Sequence, residues 1–397
     1  MYTILTTCPD YGSRNVGDKL IEVRTKEMIT REKGDDEFFT IFREEPLEPH
    51  LETINRSKAV IMPLAVRDTP MYPGTYRLTE DLSAIKVPLI PIGACWNVYP
   101  GDSKSRDMVQ YSEKTVDFLH YLARGVEKFS CREHYTVDIL KKHGVRNAYF
   151  TGDPAWFHLP SMGIPLRRPK EINRVVFSGP LSPYYLDQAK SIITIIAELF
   201  PRAERYCAMH LADAGAAGGG AAGAAERGAV KSENSAAMSP EVARKNREIR
   251  IWAEAQGFRI LEMAGDLEKL NFYEECDLHV GYECHAHLFF FSRRIPSVLI
   301  AEDARGVGFN YSLGCGGFTG FLRTQEAPTV KAKTHTSGYC TSVEELVLAP
   351  PRNDIDREVK GFLLEETETN FCRYLGLDTL LDTLYRERMR PFISALP

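Results

Sequence analysis

The sequence predicts a two-domain α/β protein. Short apolar runs rich in Val, Ile and Phe alternate with longer amphipathic stretches, the pattern of parallel strands joined by helical crossovers. The pattern lapses once, at the Pro- and Arg-rich stretch LPSMGIPLRRPKEIN, and then resumes. Length agrees, because 397 residues divide more naturally into two cores than one at about 100–200 residues per domain.

In the first half, strands are expected at Tyr2 to Thr7, Phe38 to Phe42, Lys58 to Met62, Pro88 to Ile92, Glu127 to Cys131 and Ala148 to Thr151. Helices are expected at Asp18 to Thr30, Val109 to Leu122 and His134 to His143. The first domain is therefore read as 1–160. Residues 161–173 form a linker, since prolines disfavour helix and strand alike. A second domain, 174–350, repeats the alternation with strands at Arg174 to Phe177, Arg205 to Met209, Phe258 to Glu262, Asp277 to Val280 and Ser297 to Ile300. Its helices are expected at Tyr185 to Phe200, Ser239 to Ala255, Leu267 to Glu275 and Ala286 to Arg293. Within it, Ala212 to Ala229 is almost pure Ala and Gly, without side chains large enough to pack, and reads as a flexible surface insertion. Residues 351–397 read as helical, open between bracing the first domain and forming a homo-oligomer.

Composition narrows the function. Lys+Arg of 49 against Asp+Glu of 54 gives a formal charge of -5, so no general field favours nucleic acid or an anionic membrane. Any bound anion must be gripped locally. The opening MYTILTTCPDYG has no basic flank or long apolar stretch, and no apolar run of about 18 residues appears elsewhere. The nine cysteines are scattered, odd in number and without a CxxC pair, which points to a reducing cytoplasmic compartment rather than a disulfide framework or structural zinc.

Ligands of open α/β sheets bind beyond the carboxyl ends of the strands, where loops gather and helix amino termini present N–H groups. Several polar residues fall there: Asn15, Gly17 and Asp18 after the first strand, Arg132 and Asp153 in the first half, Ser178 and Gly179, His210, Glu283 and His285, and Asp303 with Arg305 in the second. Each has a plainer reading. Asn15-Val16-Gly17-Asp18 also fits an N-cap with a turn glycine, Arg132 a surface ion pair, and Ser178-Gly179-Pro180 a tight turn. Convergence of the motifs from both halves favours the functional reading. His285 and His287 alternate, but the following LFFFSRR reads as helix and splays them apart, so no metal is expected. His285 is the better acid or base candidate, since an imidazole exchanges protons near neutral pH.

NVGDKLIE, FSCREHYTVDILKKHGV with FTGDPAWF, and GYECHAHLFFFSRRIPSVLI resemble, in order, three motif blocks of the polysaccharide pyruvyltransferase family. The resemblance runs with gaps from about residue 10 to residue 320. It implies two Rossmann-like domains facing a cleft in a GT-B-like arrangement. It further implies transfer of the enolpyruvyl unit of phosphoenolpyruvate to two hydroxyls of a sugar or glycan, closing a cyclic ketal and releasing phosphate, with phosphoenolpyruvate as co-substrate and no cofactor. Arg132 then matches a donor-binding arginine and His285 the acid or base. One departure stands out: where many members read Gly-x-Arg-x-His, this chain has Gly281-Tyr282-Glu283-Cys284-His285. A carboxylate facing an anionic donor repels it by roughly 1 kcal/mol at about 4 Å in water. Arg305, at an equivalent strand end, is expected to restore the positive charge, with Asp18 or Asp153 orienting the acceptor or bracing the loops.

Two rivals remain at this point. One is a glycosyltransferase of the same architecture using a nucleotide-sugar donor, in which Glu283 binds a ribose hydroxyl. The other is a non-catalytic sugar-binding relative. The acceptor is open between a lipid-linked sugar, met at a membrane surface, and a finished polymer.

Overall fold

The architecture rests on twelve short strands. β1 (Tyr2–Thr6), β2 (Phe38–Phe42), β3 (Val60–Val66), β4 (Leu89–Trp96), β5 (Phe129–Cys131) and β6 (Ala148–Phe150) form one parallel sheet in the order β2-β1-β3-β4-β5-β6. β7 (Arg174–Ser178), β8 (Glu204–Met209), β9 (Phe258–Glu262), β10 (Leu278–Gly281), β11 (Ser297–Ala301) and β12 (Gly317–Thr319) form a second, in the order β12-β11-β10-β7-β8-β9. This is a computed structural model, and it describes residues 1–8, 15–68, 71–210, 239–322 and 343–397. The expected Ala/Gly insertion at 212–229 lies outside the described residues.

Both sheets are doubly wound, so each has a point where strand order reverses: between β1 and β3 in the first and between β7 and β10 in the second. The crossovers are α1 (Val16–Lys33), α2 (Leu51–Arg56), α3 (Ser103–Met108), α4 (Glu113–Arg124) and α5 (His134–Lys142) in the first half. In the second half they are α6 (Leu186–Leu199), α7 (Pro240–Ala255), α8 (Cys284–Ser292) and α9 (Ala304–Leu313), and the chain closes with α10 (Val343–Leu348), α11 (Ile355–Glu368), α12 (Leu377–Leu384) and α13 (Arg390–Ser394). Residues 162–173 carry no regular element.

The strand expectations hold except at particular residues. β3 continues past Pro63 to Val66, the proline being absorbed by a register shift between Pro63 and Ala65. The stretch Leu267–Glu275 is a 3-10 helix. α9 was not expected, because Gly306 and Gly308 lower helix propensity by about 1 kcal/mol each. Packing overrides propensity there: a Cβ on Gly308 would lie 2.7 Å from the Glu133 carboxyl of the first domain.

α8 is apolar on every side and buried along its whole length, the signature of a core helix. It packs against α1 as well as β10 and β11. Consequently one apolar core runs through both halves, joining Ile4, Val16 and Leu20 to Phe177 and Phe289–Phe291. The terminal helices return to the first domain. Glu32 of α1 accepts from Tyr385 Oη at 3.0 Å and Arg390 Nε at 2.9 Å, Lys33 Nζ reaches the Leu396 carbonyl at 2.5 Å, and Arg388 meets Tyr149 at 2.8 Å. Of the two roles open to these helices, bracing is the one seen within the chain.

Arg294 anchors this brace. It is fully buried, pairs with Asp382 of α12 at 2.5 Å and donates to the Ile164 and Phe291 carbonyls. Arg294→Ala is expected to destabilise the protein by about 3 kcal/mol or more in urea unfolding, because it strands buried acceptors. A loss below about 1 kcal/mol would show the pair to be dispensable.

Candidate active site between the two sheets

On the second domain, β10 ends in Gly281 and the chain turns through Tyr282 into Glu283, which caps α8. The Glu283 carboxylate accepts from the backbone N–H of His285 at 3.3 Å and lies 3.1 Å from His285 Nδ1. Glu283 therefore braces the imidazole instead of standing bare, its carboxylate turned to His285. Burial alone would raise its carboxyl, but the His285 hydrogen bond and the charges of His210, His285 and Arg305 outweigh burial and hold it at about 2. With Nδ1 engaged, Nε2 of His285 has no hydrogen-bond partner among the described residues.

On the first domain, Asn15 caps α1, its side chain accepting from the Gly17 N–H at 2.9 Å. The N-cap reading of this motif is thus correct, but it is incomplete. A Cβ at position 17 would fall 1.9 Å from Cγ of His285, so the bare glycine is what lets α1 and α8 meet end to end. Asp18 follows in the first turn of α1.

Arg132, just after β5, is buried over the Phe309 ring at 4.6 Å, and its Nη1 lies 3.3 Å from Asp153. Asp153 is fully buried, caps the short helix Pro154–Trp156 and braces the arginine. Nε and Nη2 of Arg132 are buried without a hydrogen-bond partner among the described residues. Arg305 is held by Asp303, which also caps α9, at 2.6 Å. The charges of Arg132 and Arg305 both bear on Cys284, the residue before His285, although burial keeps that thiol well above its ordinary value. Arg132, Arg305, Glu283, His285 and Gly17 therefore share one interdomain region.

Other expected residues are engaged elsewhere. The Ser178 hydroxyl is buried between His279 and the Glu283 N–H. The amides of Leu181 and Ser182, beyond Ser178-Gly179, are taken by the Glu302 carboxylate at 2.7 and 2.9 Å. These two amides are therefore already engaged within the chain. His210 is hydrogen-bonded to Tyr273 at 2.7 Å, and its charge acts on Glu283. His287 points to Ser297, away from His285, so the two histidines are splayed as α8 requires. Among the described residues no three His, Cys, Asp or Glu side chains form a metal-binding group.

Two further cations were missed by sequence reasoning. Arg43 follows β2, buried, with its guanidinium 5.6 Å over the Tyr76 ring. Arg67 follows β3, and burial together with the charges of Arg43 and Arg305 pulls it down to about 10. The strand-end rule applied to β3 finds Arg67 once the strand is carried past Pro63. Arg43 sits in the charged run FREEP, which reads as a solvated surface.

Two doubly wound parallel sheets, meeting where Arg132, Arg305 and a Glu-braced histidine gather, give the chain a GT-B-like architecture. A family model described as polysaccharide pyruvyl transferase matches residues 15–304, more than half of the chain, and the protein belongs to that family. No curated protein sequence matches the chain. Among solved structures, Anabaena Alr3699/HepE in complex with UDP and glucose is similar at 10% identity, covering 100% of this chain and 99% of that chain, with a TM-score of 0.46. The S. aureus MnaA–UDP co-structure is similar at 9% identity, covering 99% and 97%, with a TM-score of 0.48. UDP-GlcNAc 2-epimerase from Neisseria meningitidis bound to UDP-GlcNAc is similar at 9% identity, covering 97% and 99%, with a TM-score of 0.45. No helix among the described residues is long and apolar enough to cross a membrane.

Two outcomes follow from this geometry without any assay of turnover. Gly17→Ala overpacks the α1–α8 contact and is expected to cost about 1–3 kcal/mol in urea unfolding; an unchanged midpoint would mean the two helices are not held together. Glu283 titrates below its ordinary 4.5 in the folded protein, so its stabilising contribution is complete above about 4.5 and is lost as pH falls toward about 2. Wild-type stability should thus fall more steeply than that of Glu283→Gln over this acid range, and parallel profiles would remove the pairing with His285.

Proposed function

We propose that the protein transfers the enolpyruvyl unit of phosphoenolpyruvate to a sugar or glycan bearing two suitably placed hydroxyls, forming a cyclic pyruvate ketal and releasing phosphate. The observation that carries this reading is the convergence of a buried, under-bonded Arg132 with the Glu283–His285 pair in one interdomain region. Arg132, steadied by Asp153, and Arg305, steadied by Asp303, hold the donor's carboxylate and phosphate as charge-assisted hydrogen-bond donors. Each arginine keeps a carboxylate partner, so the donor's negative charge is met by cations that are already positioned.

The chemistry asks for a proton on the donor methylene carbon, loss of phosphate from the adjacent carbon, and removal of one proton from each of two hydroxyls as they attack that carbon in turn; one of these protons replaces the one given to the methylene and the other leaves on the phosphate. His285 Nε2 is the group assigned to this exchange. Glu283 on Nδ1 fixes the tautomer and stabilises the protonated ring, as a carboxylate behind a histidine does in hydrolytic triads. Asp18, at the α1 amino terminus beside Gly17, orients the acceptor hydroxyls. Arg43 and Arg67 line the first-domain edge of the same region and add to its positive potential. The side chains at its centre are 4–6% exposed, His285 at 4%, Glu283 at 5% and Arg132 at 6%, so water competes weakly for the reacting carbon.

The membership of the chain in the polysaccharide pyruvyl transferase family supports this reading over a nucleotide-sugar glycosyltransferase. Phosphate release in the presence of phosphoenolpyruvate and a panel of nucleotide- and lipid-linked sugars is the direct test. Release that requires both partners is expected, whereas turnover of a nucleotide sugar without phosphoenolpyruvate would favour the rival. His285→Ala should lower kcat by about 10²–10⁴-fold, the usual weight of acid–base catalysis. Arg132→Ala should weaken donor affinity by about tenfold or more, as befits a charged hydrogen bond. A donor affinity left intact by the second change would take Arg132 out of the donor site.

A further inference from the structure

Beneath the Glu283–His285 pair lies a row of four polar side chains, each fully buried: Ser178 of β7, His279 of β10, Ser297 of β11 and His287 of α8. Glu283 N–H donates to Ser178 Oγ at 3.1 Å. Ser178 Oγ is 2.8 Å from His279 Nε2, His279 Nδ1 is 2.7 Å from Ser297 Oγ, and Ser297 Oγ is 2.7 Å from His287 Nδ1. The flanking surfaces are apolar, with Phe290 stacked on His279 and Phe291 tilted against His287.

Counting protons fixes the direction of this row. Each hydroxyl has one proton to give. Ser178 already accepts from the Glu283 amide, and the acceptor open to its own proton among the described residues is His279 Nε2. His279 then carries its proton on Nδ1 and donates to Ser297, whose proton passes to His287 Nδ1. This order leaves a single stranded group, the His287 Nε2–H, which indeed has no partner among the described residues. Running the row the other way strands both the Ser178 proton and the His287 Nε2 lone pair, and each unmet buried group carries a desolvation penalty. Both rings are neutral in this scheme. Burial agrees, pushing His287 down to about 3 and His279 well below its ordinary value.

We infer that Ser178, His279, Ser297 and His287 form one directional hydrogen-bond chain whose task is to position the Glu283–His285 pair. The chain grips α8 at two points, the Glu283 backbone and the His287 ring, on either side of His285. A turn of α8 about its axis, which would swing His285 away from its contact with Gly17, is blocked unless the chain breaks. These four residues touch no donor or acceptor; they act through the pair, and their effect on turnover rests on the transfer reaction proposed above.

The test uses the full chain labelled with ¹⁵N-histidine and needs no substrate for its first part. Ring ¹⁵N shifts should report His279 protonated on Nδ1 and His287 on Nε2, both neutral from about pH 6 to pH 8 given unperturbed histidines near 6.5. Protonation of His287 on Nδ1, or a charged ring at either place, would overturn the chain. In Ser297→Ala the His285 Nδ1 signal should move although the Ser297 hydroxyl bonds to His279 and His287 and not to His285, and a signal that stays at its wild-type position would deny the positioning role. Kinetics then separate positioning from donor binding. Ser297→Ala should lower kcat about 10- to 100-fold with the donor KM within about twofold, and Ser297→Thr, which keeps the hydroxyl, should restore most of it. A matching rise in KM, or no fall in kcat, would overturn the inference. If wild-type protein turns over no phosphoenolpyruvate, the proposed reaction fails, while the ring shifts still decide the chain.

Discussion

The His285 imidazole fills the space that any side chain at position 17 would need, so α1 and α8 meet over a bare glycine. Because the first-domain side of this contact is a helix amino terminus and the second-domain side is another, loop clusters built on separate sheets are brought together there. The contact has apolar support on both flanks. α8, buried throughout, carries Phe289–Phe291 into the same core as Val16 and Leu20 of α1. Packing of ordinary aliphatic and aromatic groups thus sets the position of the polar ones.

Charge is distributed around this contact in pairs. Arg132 stands with Asp153, Arg305 with Asp303, and Glu283 with His285. Burying any one of these ions alone would cost several kcal/mol, on the order that makes unpaired buried charge rare. Pairing keeps the arginines charged and oriented while leaving Nε and Nη2 of Arg132 without a partner among the described residues. The family's usual arginine before the histidine is absent here, and its place is filled by a carboxylate that serves the histidine. Positive charge reaches the same region from Arg305 on α9 and from Arg43 and Arg67 at the ends of β2 and β3.

Much of this was legible in the sequence, for reasons that can be named. β2 and β9 are read with their observed bounds because Phe38–Phe42 and Phe258–Glu262 are short apolar runs between clear breaks. The doubly wound pattern sent attention to the strand ends, and Arg132, Arg305, Glu283 and His285 are found there. What stayed hidden was tertiary. Pro63 masked the end of β3 and with it Arg67, and Gly306 and Gly308 masked α9, whose Gly308 answers to Glu133, far away in the chain. Ser178 was placed at the right strand end, yet its hydroxyl is committed to His279, which sequence spacing of about a hundred residues gave no means to foresee. The role of Glu283 was likewise invisible, since a capping carboxylate and a donor-facing one look alike until the helix is built.

In the proposed reaction, residues from both sheets hold one doubly acidic donor across the Gly17–His285 contact. A crystal structure of the protein with bound phosphoenolpyruvate tests it most directly. The donor's acidic groups should lie on Arg132 and Arg305, with its methylene carbon about 3–3.5 Å from His285 Nε2, the distance of a near-attack arrangement. A donor bound wholly within one domain and out of reach of His285 would contradict it.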